Sequence, residues 1–175
     1  MPLPVMALVS EINNLPKKAD GTPVSDSEKL VWIEKATAFL YSKCGRRFMT
    51  ESYTETITGG GGFTALRLEN YPIRSLTSIT IDDEEIDLTD VKIISRSGIL
   101  YREEGWGTTF SVIVIEYSSG YSLEEGDDFP LPQDLHFACI DLVKFMYHSN
   151  NLVAEEDNRV IPLYIRHIID SWRIR

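Results

Sequence analysis

The feature that most constrains the fold is a change of hydrophobic period around Cys44-Gly45-Arg46-Arg47-Phe48. Upstream of this point, residues suited to a buried face recur at helical spacing over about five turns, at Leu30, Ile33, Ala36, Thr37, Leu40, Tyr41 and Cys44. From Thr50 onward, the pattern alternates with the period of a β-strand. The chain is therefore expected to form one long amphipathic helix followed directly by β structure.

Both ends of that helix carry local signals. Ser25 and Glu28 have the spacing of a capping box, in which each side chain accepts a hydrogen bond from the backbone N–H of the other residue. Gly45 suits the left-handed conformation that ends many helices. These signals predict a helix over residues 25–45.

The next segment is predicted to be rich in β-strands. Tyr53, Glu55 and Ile57 alternate with polar residues, and the alternation resumes at Leu66 after a run of glycines. This pattern predicts a hairpin with a glycine-rich loop. Further strands are predicted at Ser75–Ile81, Ile93–Ile94, Gly98–Arg102 and Ser111–Tyr117.

Helical spacing returns after Pro132 and again in the last part of the chain. The predicted fold class is α+β: a small helical bundle with an inserted antiparallel β-rich region between the first long helix and the C-terminal helices. We expect an N-terminal arm (1–24) and a single domain (25–175) that comprises a helix (25–45), a β insert (50–118), an acidic loop (119–131), a helix (132–149) and a C-terminal helix (160–173).

Composition limits the classes of function. The net charge of −10 and pI of about 4.7 argue against an extended phosphate-binding face, because affinity for nucleic acid depends on Lys and Arg. No apolar run reaches the roughly 20 residues that cross a bilayer. The first residues lack the pattern of a secretory signal.

Residues that could carry chemistry favour structural interpretations. Cys44 and Cys139 lie on apolar helix faces and are expected to be reduced and buried, and the three histidines show no ligand spacing with them. The run Gly59–Gly62 is followed by Phe63 and Thr64, which begin a predicted strand. A phosphate-binding loop would instead be followed by Lys and then Ser or Thr at the start of a helix. No nucleophile motif is present. We therefore expect no catalytic residue, no metal site and no cofactor.

Two segments have both a structural and a functional interpretation. Arg46 and Arg47 suit the negative end of the helix dipole, or they could bind the carboxylates of a partner at a subunit contact. The apolar stripe of the C-terminal helix either packs on the preceding helix or docks in the groove of another protein. The candidate docking residues are Tyr164, Ile165, Ile168, Ile169, Trp172 and Arg173.

The order of the motifs points to a family. After Cys44-Gly45-Arg46-x-Phe48 come Tyr71-Pro72-Ile73, Ser75-Leu76-Thr77-Ser78-Ile79, Gly98-Ile99-Leu100, Trp106, Val114-Ile115-Glu116-Tyr117-Ser118-Ser119-Gly120-Tyr121, and Leu131-Pro132-Gln133-Asp134-Leu135. In this order they resemble the head–tail connector (adaptor) proteins of tailed bacteriophages and prophages. The resemblance covers roughly residues 25–150.

This resemblance implies a structural virion protein. Such proteins form a twelve-membered ring below the portal protein, extend the DNA channel without binding DNA specifically, and dock the next neck or tail completion protein. The expected location is the host cytoplasm during assembly and then the virion neck, with no membrane contact. The resemblance also implies that the C-terminal helix, from Tyr164 to Trp172, contacts the portal.

The negative charge of the chain suggests a further role in such a ring. A negatively charged bore repels phosphate, so DNA slides through it without binding. The candidate channel-lining residues are Asp82, Asp83, Glu84, Glu85, Glu124 and Glu125.

Two other classes of function remain open at this point. In a small sugar- or peptide-binding module, exposed Tyr53, Phe63 and Trp106 would form the recognition face. In a hydrolase with paired carboxylates, Asp82 and Glu84 would be the candidates. Both rank below the connector.

Overall fold

The computed structural model of the chain describes residues 4–18, 21–59, 61–148 and 161–173. Within these ranges it contains three α-helices: α1 (Asp26–Cys44), α2 (Gln133–His148) and α3 (Leu163–Trp172). The strands of the same ranges are β1 (Glu51–Thr58), β2 (Ala65–Arg67), β3 (Ile73–Ile81), β4 (Glu84–Glu85), β5 (Val91–Ile94), β6 (Ile99–Arg102) and β7 (Val112–Ser119).

The chain divides into two compact units. The first, the helical unit, consists of Met1–Phe48 and Leu123–Arg175, and the second, the β unit, is Met49–Ser122. The three helices and the antiparallel strands confirm the α+β fold class, with the strands inserted between α1 and the C-terminal helices.

The caps of α1 are those that the sequence predicts. Ser25 Oγ accepts from the Glu28 N–H at 3.4 Å, and the Glu28 carboxylate accepts from the Ser25 N–H at 2.9 Å. Gly45 ends the helix with a φ of 71°, which lies in the left-handed region that favours glycine. The predicted helix and both of its end signals are confirmed.

Packing of the three helices forms the core of the helical unit. Ile33 and Leu40 of α1 and Leu142 of α2 are fully buried. The segment before α1 also belongs to this core, since Met6, Ala7 and Ile12 are buried and the Met6 N–H donates to Thr37 Oγ1 at 3.2 Å. Within this segment, Val9–Glu11 forms a 3-10 helix.

The β unit contains two antiparallel sheets. One has the strand order β1-β7-β3-β4 and the other has the order β2-β6-β5. Side chains from both sheets share one apolar cluster, whose buried members are Leu68, Ile73, Ile79, Val91, Leu100, Trp106, Ile113, Ile115 and Tyr117.

The predicted hairpin of β1 with the following strand is wrong. β1 pairs with β7 along its whole length, from Glu51 opposite Ser119 to Thr58 opposite Val112, whereas β2 pairs with β6. The reason is length and burial: β7 offers eight residues with alternate buried side chains, and β2 offers three residues. The glycine-rich loop after β1 instead bonds to the segment before β7, as Gly61 N–H to Thr108 O and Gly62 N–H to Gly107 O show.

Some expectations fall outside the described ranges. They are the end of the predicted helix at residue 149, the start of the C-terminal helix at residue 160, and Gly60 of the glycine run. Among the described helices, none has the length and apolar character needed to cross a bilayer.

Candidate assembly surfaces

The C-terminal helix α3 packs against the rest of the helical unit through two isoleucines. Ile165 is fully buried and Ile169 is 4% exposed. Phe48 and Trp172 meet edge to face at 5.9 Å between ring centroids. Of the six residues predicted to dock on the portal, Ile165 and Ile169 therefore belong to the interior of this unit.

Polar contacts hold three further side chains of α3 and its C-cap, those of Tyr164, Trp172 and Arg173. Tyr164 Oη donates to Asp141 Oδ2 at 2.7 Å, and Trp172 Nε1 donates to Asp134 Oδ2 at 2.7 Å. Arg173 Nε donates to the carbonyl of Lys43 at 3.0 Å. Burial, and then the Asp141 carboxylate, raise the pKa of the Tyr164 hydroxyl above its ordinary value, so it stays a neutral donor.

These contacts create a surface that we call the α2–α3 aromatic surface, made of Phe137, Leu163, Tyr164, Ile168 and Trp172. Phe137 lies on the same face of α2 as Asp134 and Asp141, and it is 57% exposed. Leu163 is 60% exposed and Tyr164 is 46% exposed. Ordered aromatic side chains of this kind are the usual anchors of protein interfaces.

Phe137 is a candidate that sequence reasoning missed. It falls between Leu135 and Ala138, both buried on the apolar stripe of α2, and it points away from that stripe. A large aromatic side chain on the polar face of an amphipathic helix was the available signal.

The two arginines after α1 lie in different environments. Arg46 is 8% exposed, and its guanidinium lies 5.2 Å from the centre of the Phe48 ring. Arg47 is exposed. Of the two candidates for a subunit contact, Arg47 is the one that this chain presents at its surface.

The first acidic cluster is the tip of a tight hairpin between β3 and β4. Asp82 and Asp83 have φ angles of 52° and 67°. A two-residue hairpin turn of type I′ requires positive φ at both of its central residues. Asp82 Oδ1 accepts from the Val112 N–H at 2.8 Å, so this carboxylate fixes the turn to β7. Asp83, Glu84 and Glu85 are exposed.

The second acidic cluster lies on the loop before α2. Glu124 and Glu125 are exposed, and Gly126 adopts a φ of 82° just after them. This loop belongs to the helical unit, whereas the β3–β4 hairpin belongs to the β unit. The channel-lining candidates therefore come from two separate compact units.

A half-buried polar cluster around Glu55 in the β unit was not anticipated from the sequence. Glu55 accepts hydrogen bonds from the Glu69 N–H at 3.1 Å, from Asn70 Nδ2 at 3.3 Å and from Tyr117 Oη. Burial, and then Glu55, raise the pKa of Tyr117. The cluster fixes the segment after β2 onto β1 and β7, which is a structural role.

The aromatic face expected for a sugar- or peptide-binding module does not form. Trp106 is fully buried and its Nε1 donates to Thr64 O at 3.0 Å, so its predicted exposure is wrong. Tyr53 stacks on Tyr117 with ring centroids 5.7 Å apart. Phe63 is 72% exposed, but Trp106 belongs to the buried cluster of the β unit and Tyr53 is half-buried against that cluster.

Both cysteines are free and buried, as predicted. Burial raises the pKa of Cys44 to about 11 and that of Cys139 to about 12, so neither is a thiolate near neutral pH. Over the described ranges, no group of three or more His, Cys, Asp and Glu side chains is placed to hold a metal ion.

Comparison with known proteins decides between the remaining classes. The family model of head completion proteins matches residues 18–175. This chain belongs to the head completion protein family. The predicted relationship to head–tail connectors is confirmed, and the chain is a structural connector component of a phage-like particle.

Solved structures of similar fold come from gene transfer agent (GTA) particles. A chain of the neck of an empty GTA particle, computed with C6 symmetry, gives a TM-score of 0.67 at 16% identity and covers 99% of this head completion protein and 91% of its own length. A chain of the virion of a native GTA particle gives 0.63 at 15% identity, with coverages of 95% and 87%.

A third chain, from the neck of a native GTA particle computed with C12 symmetry, gives a TM-score of 0.59 at 15% identity and covers 86% of this chain and 84% of that one. At these identities the likeness concerns the fold. A search of curated proteins gave no match.

Proposed function

We propose that this head completion protein forms a twelve-membered ring at the neck of a phage-like particle, after assembly in the host cytoplasm. The ring lies below the portal, extends the DNA channel and docks the next neck or tail protein. The observation that carries the proposal is the family match over residues 18–175. The likeness of the fold to a neck chain computed with C12 symmetry supports the number of subunits.

The α2–α3 aromatic surface is the proposed contact with the portal. It combines exposed apolar area at Phe137 and Leu163 with an aromatic ring, Tyr164, whose hydroxyl is already held by Asp141. A side chain that is ordered before binding loses less conformational entropy when the complex forms. Arg47 remains the candidate for carboxylates of the neighbouring subunit.

The acidic side chains are proposed to line the channel. In a twelve-membered ring, the exposed Asp83, Glu84 and Glu85 of the hairpin and Glu124 and Glu125 of the loop would each be repeated twelve times. Such a density of negative charge opposes adsorption of the DNA phosphates. A ring structure with both clusters on its outer rim would refute this assignment.

The test of the portal contact uses substitutions that leave the interior intact. We expect the double variant Phe137→Ser with Leu163→Ser to fold normally and to bind the portal at least about tenfold more weakly, because apolar area at the centre of an interface is lost. Deletion of residues 160–175 is a poorer test, because it also removes the buried Ile165 and Ile169.

A matched control is Phe63→Ser, which removes an exposed phenylalanine of the β unit and leaves the α2–α3 aromatic surface of the helical unit unchanged. Portal binding is measured by co-sedimentation or by surface plasmon resonance with immobilised portal rings. Equal binding by the double variant, the control and the unmodified chain would contradict the assignment of the portal contact.

A further inference from the structure

The longest open strand edge among the described residues belongs to β1. Within the described ranges, this strand of eight residues pairs on one side only, with β7. The Gly59 N–H donates to Ser111 O at 2.9 Å, so this is a hydrogen-bonded pair of the antiparallel β1–β7 register. Hydrogen-bonded pairs recur at every second residue of an antiparallel strand pair. Odd-numbered residues of β1 therefore bond to β7, and the backbone N–H and C=O groups of Ser52, Thr54, Thr56 and Thr58 point away from it.

Apart from the inward-facing Glu51 and Glu55, this edge lacks the features that protect strand edges from other chains. Its sequence, Glu51-Ser52-Tyr53-Thr54-Glu55-Thr56-Ile57-Thr58, contains no proline and no lysine, and its register with β7 is uninterrupted. The side chains of Ser52, Thr54, Thr56 and Thr58 are exposed, so nothing bulky or cationic hinders an approaching strand.

The opposite edge of the same sheet is protected. β4 has two residues, both glutamates, and β3 is interrupted by register shifts between Ile73 and Ser75 and between Leu76 and Ser78. The contrast within one sheet indicates that β1 is left open for a partner strand.

The second sheet offers a complementary edge at β5. Leu68 N–H donates to Gly98 O at 2.8 Å and Arg102 N–H donates to Thr64 O at 2.9 Å, so the even-numbered residues of β6 bond to β2. Ile99 and Tyr101 consequently bond to β5, through Ile94 and Lys92. The backbone groups of Ile93 are left on the open side.

Side chains on the two edges are also complementary. Ile93 is 40% exposed and Ile94 is 53% exposed, and β5 carries Lys92, whereas β1 carries Glu51 and Glu55. Isoleucine beside threonine is a favourable cross-strand pair of β-branched residues, and opposite charges avoid the repulsion that two β1 strands would face at Glu55.

We propose that β1 of one subunit pairs with β5 of a second copy of this chain. Because the two edges are different surfaces of one chain, the contact is heterologous and repeats from subunit to subunit until a ring closes. The proposal rests on the proposed ring and adds to it the segment through which neighbours join. Each subunit then covers the open edge of the next, and the exposed isoleucines are buried.

The first test is cross-linking of the double variant Thr56→Cys with Ile93→Cys in the presence of the portal. A short bis-maleimide at pH 7 reacts with exposed thiols, while Cys44 and Cys139 are buried and have pKa values of about 11 and 12. We expect a ladder of covalent oligomers that ends at the ring, and no ladder from either single variant.

Electron microscopy of the same samples separates this proposal from the proposed function. Rings without a ladder would overturn the β1–β5 pairing and leave the ring intact. A ladder without rings would support the pairing and contradict the ring, and absence of both would overturn both. Covalent dimers from Thr56→Cys alone would show that β1 pairs with β1, which also overturns the proposal.

A second test changes one outward N–H. Thr56→Pro removes that donor, while the bonds from β1 to β7 are made by the odd-numbered residues and remain. Ring assembly is expected to fall at least about tenfold with an unchanged circular dichroism spectrum, because an interface hydrogen bond is lost. Thr56→Val keeps the N–H and the branched shape and is expected to assemble normally. Equal assembly by both variants would overturn the proposal.

Discussion

The helical unit and the β unit are specified by sequence signals of different range. In the helical unit, apolar side chains recur with the helical period. The side chains of Ser25 and Glu28 accept hydrogen bonds from the backbone N–H groups at the start of α1, within one turn. In the β unit, the strands that pair are far apart in the chain, as β1 and β7 are, and polar side chains reach across similar separations. Asp82 bonds to Val112 and Glu55 to Tyr117.

This difference has a consequence for mutation. A change in the helical unit acts on a face that the helical period marks in the sequence. A change in the β unit acts on contacts between segments that no local pattern joins. The following predictions test whether the two units respond separately and whether long-range polar contacts contribute to stability.

The largest effect is expected from cavities in the two cores. Leu40→Ala in α1 and Leu100→Ala in β6 each remove a fully buried side chain. Each should lower the free energy of unfolding by about 3 kcal/mol, from lost transfer energy and the cavity left behind. Urea denaturation measures the loss, and amide hydrogen exchange shows where protection falls.

The pattern of amide hydrogen exchange in these two variants compares the helical unit with the β unit most directly. Leu40→Ala should reduce protection in α1, α2 and α3, and Leu100→Ala should reduce it in the strands. Leu30→Ala and Ile94→Ala are controls at exposed positions, with expected losses below about 1 kcal/mol. A uniform loss of protection over the whole chain in either core variant would contradict separate responses.

An intermediate effect is expected from the half-buried carboxylate of Glu55 in the β unit. Glu55→Ala removes the acceptor for Glu69 N–H, Asn70 Nδ2 and Tyr117 Oη. We expect the free energy of unfolding in urea to fall by about 1 to 2 kcal/mol, because the part-buried Tyr117 hydroxyl loses its acceptor.

Glu116→Ala is the matched control for this prediction. Glu116 lies in the same sheet but is exposed, and its carboxylate accepts from Ser78 Oγ at 3.1 Å. The expected loss is about 0.5 kcal/mol or less, as for other exposed polar contacts. If the two variants lose equal stability, the long-range cluster around Glu55 has no special role.

The smallest effect is expected at the cap of α1 and depends on pH. Hydrogen bonds from Lys18 and then from Ser25 lower the pKa of Glu28 to about 2 from 4.5. Folding therefore favours the ionised form of Glu28. Its contribution to the free energy of unfolding is complete above pH 4.5 and is lost as the pH falls toward 2.

Thermal unfolding between pH 6 and about pH 2 checks this dependence. Glu28→Gln should reduce the fall in melting temperature over the acidic range, whereas Glu34→Gln, within the same helix, controls for the removal of one negative charge. The cap would have no share in acid stability if both variants followed the unmodified chain.

The same contrast explains which parts of the fold could be predicted. The caps of α1, the fold class and the positions of β3 and β7 follow from local periodicity and from turn residues. The partner of β1 could not be predicted, because an alternating strand has the same pattern whichever strand it joins. The hairpin expectation failed for that reason.

The surfaces show a similar division. The stripe of α3 was predicted from its spacing, but its spacing does not distinguish the buried Ile165 from the exposed Tyr164 as a docking residue. Trp106 was expected at the surface only as a member of the recognition face of a binding module, yet its indole bonds to Thr64 in the interior. The open edge of β1 has no sequence signature, since it is defined by the absence of a second pairing strand among the residues that the structure describes.

The central claim is that this head completion protein forms a ring that joins the portal. Negative-stain electron microscopy of the purified chain, alone and mixed with the portal of the same particle, tests it most directly. The account predicts a closed ring of twelve subunits that appears as added density below the portal. A chain that stays monomeric and leaves the portal density unchanged would contradict it.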